Sequence, residues 1–255
     1  MKEFYFKGIS SASFGLRVGG VDNYGAPGRR YTEYLIPGAN GTKSVDSGCF
    51  EAYPRGYAVA LPNDPHVEST MSAIKAWLLG EGGDFRLEDS YAPDVYRMAH
   101  LASGIETELM GASGRSVKFG LNFICQPEKW LKSGERAILI EEDGYAWLHN
   151  PTGMETYPQI IVHSTNGCTI EFVRPEPNGV THDPYCVIEV SQPFSDLPIV
   201  IDGQTTEAWM QGSGLSANTW VEFQGRPLLN KEPSIVRLVD ATGASIEVLP
   251  RWWRL

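Results

Sequence analysis

Residues 63–125 constrain this chain more than any other stretch, because a strongly amphipathic helical pattern is followed by the longest alternating run in the sequence. Val67, Met71, Ile74 and Leu78 recur at spacings of three and four, which sets them on one face of a helix of roughly four turns. Trp77 and Ala73 widen that face. Asp64 suits the N-cap, Pro65 the first helical position and Gly80 a left-handed C-terminal residue. Further on, Val117, Phe119, Leu121, Phe123 and Cys125 alternate with Ser116, Lys118, Gly120, Asn122 and Ile124, the period of a strand with one buried side. An amphipathic helix needs a flat apolar surface to lie on. The stretch therefore predicts a sheet covered by a single helix.

At 255 residues the chain is long enough for one to two domains, each with its own core. Twenty-one basic against 31 acidic residues leave a net charge of -10, which excludes general affinity for nucleic acid or anionic membranes. The longest basic run is Arg29-Arg30. No stretch approaches the roughly 18 to 20 apolar residues of a membrane helix, and the N-terminal residues lack the apolar core of a signal peptide, so the expectation is a chain folded in a cytosol with no membrane partner. Cys49, Cys125, Cys168 and Cys186 show no C-x-x-C spacing, and three of them fall in expected strands, so they read as buried free thiols.

The 27 glycines and 17 prolines favour many turns and short strands. Before the helix, strands are expected over 4–9, 14–21, 31–36 and 49–61, the last broken by Pro54. Asn23 to Arg30 reads as a loop, and Pro37 to Thr42 as a long turn whose Asn40-Gly41 pair suits positive φ. After the helix, strands are expected over 85–87 and 95–102. The segment Gln126 to Glu135 reads as a strand exit and linker, placing a domain boundary between residues 133 and 134. Beyond it no helix of useful length appears. Ten short strands separated by pairs such as Asp143-Gly144, Asn166-Gly167, Asn178-Gly179 and Asp202-Gly203 predict a sandwich or jelly-roll-like domain over 134–255. The fold class is thus mainly β.

The search for chemistry is largely negative. Gly212 to Ala217 matches G-x-G-x-x-A but opens no helix, so it reads as a loop and not a nucleotide site. No G-x-S-x-G, H-E-x-x-H or Walker pattern occurs. His182, Asp183 and Cys186 are competent metal donors in principle, but Pro184 intervenes and no fourth donor is near, so a surface turn is preferred. His66, His100 and His163 read as structural, and His149 as part of a turn. Glu141-Glu142-Asp143 and Glu106 with Glu108 read as solvated acidic faces. No catalytic, cofactor or metal residue is assigned. Trp147, Tyr157, Trp209 and Trp220 raise a sugar-stacking platform as an alternative to ordinary packing.

The order of segments resembles the distal tail proteins (Dit) of long-tailed bacteriophages with non-contractile tails, or their prophage equivalents. The resemblance rests on Phe14-Gly15-Leu16, Ile36 to Thr42, Ile74 to Leu78, Phe85-Arg86-Leu87 and Phe119 to Pro127. It continues through Leu148 to Thr152, Tyr157 to Ile160 and the closing Ile246 to Leu255, whose P-R-W-W-R-L is the most specific piece. It implies an N-terminal tail-tube-like β domain with one helix over 1–133, forming the belt of a hexameric ring. It also implies a C-terminal galectin-like β-sandwich over 134–255, with the final residues able to pack back on the first domain. The implied partners are other copies of the chain, the major tail tube protein and the tail-associated lysin or hub protein, with the tape measure and receptor-binding proteins as further candidates. DNA would pass the bore without specific binding, and the protein would reside at the virion's tail tip after synthesis in the host cytoplasm.

A heterologous ring needs self-contacts that close after a fixed rotation, and sheet edges and long loops donate them readily. Asn23 to Arg30 and Asn40 to Ser47 are therefore the expected subunit or tube contacts, with Asn23, Arg29, Arg30, Asn40 and Lys43 as interface candidates beside Trp252 and Trp253. The aromatic tail is expected to pack rather than to bind ligand. Two other readings stand beside the structural adaptor: a carbohydrate-binding module for host adhesion, and, more remotely, a β-sandwich hydrolase.

Overall fold

The computed structural model describes residues 2–20, 25–164, 166–175, 183–191 and 197–255. The chain divides into two compact units, Met1–Lys129 with Leu255 and Trp130–Arg254. The anticipated strand at 14–21 and loop at 23–30 fall partly outside the described residues, and the expected Asn178-Gly179 turn and His182 fall wholly outside them.

The first unit comprises β1 (Phe4–Phe6), β2 (Ile9–Ser10), β3 (Arg17–Gly19), β4 (Arg29–Leu35), β5 (Thr42–Phe50), β6 (Tyr53–Leu61), α1 (Val67–Leu79), β7 (Phe85–Asp89), β8 (Val95–Leu101), β9 (Thr107–Met110) and β10 (Ser116–Cys125). One antiparallel sheet runs β2-β1-β7-β8-β10-β6-β3, with β9 also on β10, while among the described residues β4 and β5 pair only with each other. The alternation expected in β10 is realised: Val117, Phe119, Leu121, Phe123 and Cys125 are all buried. They share a core with Met71, Ile74, Trp77 and Leu78 of α1. Trp77 anchors that contact, stacking on Phe14 at 4.9 Å and donating its indole N–H to the Phe6 carbonyl at 3.0 Å. A buried indole needs such an acceptor.

The helix ends differ from expectation. His66 is the N-cap, with no side-chain capping bond, and the Asp64 carboxylate instead accepts the His66 N–H at 2.7 Å in a turn ahead of the helix. Gly80 is right-handed (φ -64°), because its N–H continues the helical ladder to Ala76 O. Ala73 is exposed and adds nothing to the apolar face. Pro54, expected to break its strand, instead sits within β6 opposite Ile124. It is tolerated there because β3 pairs with β6 only at Ala58–Ala60, so the missing N–H faces no ladder.

The strand β11 (Lys129–Leu131) and a 3-10 turn at Lys132–Glu135 occupy what had read as a linker. The second unit continues with β12 (Ile138–Ile140), β13 (Tyr145–Leu148), β14 (Gln159–His163), β15 (Cys168–Val173), β16 (Cys186–Val190), β17 (Ile199–Asp202), β18 (Glu207–Met210), β19 (Val221–Gln224), β20 (Ser234–Val239), β21 (Ser245–Leu249) and β22 (Trp253–Arg254). The strands from β12 to β21 form two sheets, β12-β21-β14-β17-β18 and β13-β20-β15-β16-β19. Their inward residues, among them Ile160, Ile201, Ile246, Ile170, Phe172, Ile188 and Leu238, merge in one core, so the unit is a β-sandwich. Burial pushes the Cys168 and Cys186 thiols up to about 12, so they stay protonated and inert. Cys49, by contrast, is exposed.

Candidate assembly surface

Every residue from Arg29 to Cys49 is exposed, so the β4–β5 hairpin projects without a core of its own. Gly38 and Gly41, both at φ +83°, turn its tip. Facing pairs share a side of an antiparallel ladder, which puts Tyr31 with Asp46, Glu33 with Ser44 and Leu35 with Thr42 on one side, and Thr32 with Val45 and Tyr34 with Lys43 on the other. Glu33 and Asp46 lie on the first side, Asp46 paired with Arg29, and Lys43 lies on the second. Leu35 is 84% exposed, and Tyr31, Tyr34, Ile36 and Val45 are open as well. A two-stranded hairpin is marginal alone in water, and one carrying this much bare apolar surface is built to be covered.

The base of the arm is tied down. Arg29 reaches Asp46 at 2.5 Å and lies over the Phe50 ring at 5.0 Å. The Gly48 N–H and then Arg29 hold the Asp46 carboxyl below its usual value.

In the main sheet of the first unit, β3, β6, β10 and β9 form an open-ended stretch. Among the described residues, β3 ends the sheet path and β9 pairs only with β10. One face carries the core, and the other is nearly bare. Gly19, Ala58 and Gly120 line up across three strands, followed by the row Arg17, Ala60, Lys118 and Glu108, while Gly56 faces Asn122. Lys118 is neutralised by Glu108 at 3.0 Å. A groove of about 820 Å³ runs along this face against the loop at 103–106.

The sequence candidates distribute unevenly over this surface. Arg29, Arg30, Asn40 and Lys43 all lie on the hairpin arm, and Asn23 lies outside the described residues. Trp252 does not join them: at 6% exposure it is part of the sandwich core and has no surface to offer a partner. Trp253 is half-buried and donates its indole N–H to Glu155 O at 2.8 Å. Sequence reasoning missed the bare face and the β9 edge. Glycine and alanine at alternate positions of β6, Gly56, Ala58 and Ala60, was the available signal.

The aromatic set proposed as a sugar platform is not assembled. Trp147 is on β13, at one edge of its sheet, whereas Trp209 on β18 and Trp220 beside β19 belong to the opposite edges. Tyr157 instead packs under Arg226 at 4.8 Å. Two of the histidines sit against carboxylates: His100 with Asp84 at 2.6 Å, and His163 with Glu247 at 3.1 Å. Among the described residues no three His, Cys, Asp or Glu side chains cluster as metal donors.

A mainly β chain of this layout, an open sheet with one covering helix followed by a sandwich, has the Dit-like fold of phage baseplate hub proteins. The solved SPP1 Dit (gp 19.1) protein, described as a paradigm of the hub adsorption apparatus in phages infecting Gram-positive bacteria, superposes with a TM-score of 0.66 at 13% identity, covering 97% of this chain and 98% of that one. Chains of the phage P2 baseplate in its activated conformation match with TM-scores of 0.52 with calcium and 0.53 with strontium, at 8% and 9% identity and 97% coverage of both chains. No protein-family model and no curated protein matches the sequence.

Proposed function

We propose that this protein is a structural, non-enzymatic component of a phage tail tip, whose first unit closes into a homohexameric ring joining the tail tube to the tail-associated lysin or hub. The observation that carries the reading is the hairpin arm with no buried residue, in the same unit as a sheet whose β3 and β9 edges are unpaired among the described residues, in a chain that matches Dit over 97% of its length. A ring needs a donor and an acceptor surface on each copy, and an arm plus unpaired edges supplies both. The bare face is the one suited to the bore. Small side chains keep the channel wide and Lys118 is paired with Glu108, so Arg17 is the exposed cation of this row that a passing polyanion would meet. The sandwich unit is then the part available to receptor-binding components, and the protein resides in the virion.

Light scattering and negative-stain imaging of the purified protein test this. The expected result is a mass six times that of the chain, with ring-shaped particles. Replacing residues 31–46 by a two-residue turn should leave thermal unfolding unchanged, since nothing removed is buried, yet abolish the ring. A protein that is monomeric at every concentration with and without the hairpin overturns assembly through this arm.

A further inference from the structure

The two sheets of the sandwich unit end side by side on β12 and β13, consecutive strands joined by the turn 141–144. β13 pairs with β20 and with no other strand among the described residues. Leu238 N–H donates to Gly144 O at 2.9 Å, which makes residues 144, 146 and 148 the ones bonded to β20. Tyr145 and Trp147 therefore turn their backbone N–H and C=O groups to the open side. Their side chains are exposed as well, at 67% and 50%, and the His149 ring stacks parallel to Trp147 at 6.2 Å. Of the chain's seven tryptophans, the other six are buried or half-buried. Leu139, on β12, is exposed too.

Natural sheets protect an edge with a short strand, lysine, proline or a bulge; β13 is short, at four residues, but carries no lysine, proline or bulge. Its charges lie at one end only. Glu141, Glu142 and Asp143 are exposed in the preceding turn, and Glu142 accepts the Gly243 N–H at 2.9 Å, leaving the other two carboxylates facing solvent. The cation nearest the ladder, Arg237 opposite Tyr145, is already paired with Glu171. The end beside the turn is thus acidic, and the rest of the edge is aromatic.

We infer that β13 is a docking edge for an extended segment of a partner protein, which adds to the sheet as a further strand. Apolar residues at alternate positions of that segment lie on Tyr145 and Trp147, and a lysine or arginine at one end meets Glu141 and Asp143. This goes beyond ring formation, because it uses only the second unit and names the chemistry of what that unit carries. A sugar would stack on the Trp147 ring and hydrogen-bond the carboxylates, but it would not continue the backbone ladder of β13.

The test uses the full chain and a short synthetic peptide of alternating valine and threonine with lysines at one end. Binding is read by Trp fluorescence, and hydrogen exchange across 144–149 is read by mass spectrometry. The expected result is saturable quenching, slowed exchange in that segment, and affinity reduced more than about tenfold by Trp147→Ala. The double variant Glu141→Lys with Asp143→Lys should weaken binding and remove most of its salt dependence. Absence of binding, or quenching without slowed exchange, overturns the proposal. So does quenching by soluble oligosaccharides in place of the peptide, or a mass increase showing that β13 already pairs with a second copy. The particle mass of each variant, measured alongside, keeps a failure here separate from a failure of the ring.

Discussion

Asp89→Asn is expected to destabilise the first unit by about 3–5 kcal/mol, the largest effect of any single polar substitution in this protein. Asp89 lies at the end of β7 with its carboxylate fully buried, and it accepts from Arg55 at 2.7 and 2.9 Å and from the Tyr57 hydroxyl at 2.7 Å. The backbone N–H groups of Tyr91 and Ala92 donate to its other oxygen, each at 3.1 Å. A second guanidinium, Arg97, stands 3.6 Å away and donates to the Tyr53 hydroxyl. Two buried cations thus depend on one anion. Neutralising that anion strands both, whereas a lost surface pair costs only about 0–1 kcal/mol. Arg97→Met is the contrasting case. One Arg97 terminal nitrogen has no hydrogen-bond partner, so its removal relieves the excess charge and should cost far less.

The same network sets an acid limit. Burial pushes the Asp89 carboxyl up, but the Tyr57 hydrogen bond and the Arg55 and Arg97 charges outweigh it and hold the group below its ordinary value. A native carboxyl held below its unfolded value contributes stability above the unfolded pKa of about 3.9 and loses it as pH falls toward the native value. Calorimetry should therefore show the first unit's transition dropping below about pH 4 in the native protein, and less steeply in Asp89→Asn. A variant that melts with the native protein at pH 7, or keeps its acid slope, defeats this account.

Truncation after Pro250 is expected to cost the second unit at least the 3–5 kcal/mol typical of deleting a buried tryptophan. The tail is bonded as well as buried. Leu131 N–H donates to Trp252 O at 2.8 Å, Arg251 N–H to Gly134 O at 2.9 Å, and the Thr156 hydroxyl to Arg251 O at 2.6 Å. Arg251 also reaches Asp202 at 2.8 Å. The fit around Gly134 is so close that a Cβ there would lie 2.3 Å from Trp252 N, so Gly134→Ala should share the loss. Urea unfolding followed by tryptophan fluorescence measures both, and an unchanged midpoint for the truncated chain would refute the role given to the tail.

Much of the fold was legible because burial leaves a period in the sequence. The helix appeared through Met71, Ile74 and Leu78, and β10 through its five alternating apolar residues, since each must present one side to the same core. The sandwich appeared as ten short strands, because turn pairs such as Asp143-Gly144 punctuate them. Four of the interface candidates, Arg29, Arg30, Asn40 and Lys43, fell on one arm because turn-forming residues and exposed charge go together on loops and hairpins.

By itself, then, the sequence determined a mainly β chain with a single helix laid on its first sheet, free cysteines without metal spacing, and no catalytic motif. Tertiary structure alone decided which surfaces stay open. Whether an exposed hairpin has anything to cover it, whether β9 and β13 have neighbours, and whether Gly19, Ala58 and Gly120 share a row all depend on strand order and register, which arise from pairings between residues far apart in the chain. The same reason governs Trp252. Its position beside Trp253 suggested a shared aromatic tail, but successive residues of an extended chain point opposite ways, and only the fold reveals which of the two is buried.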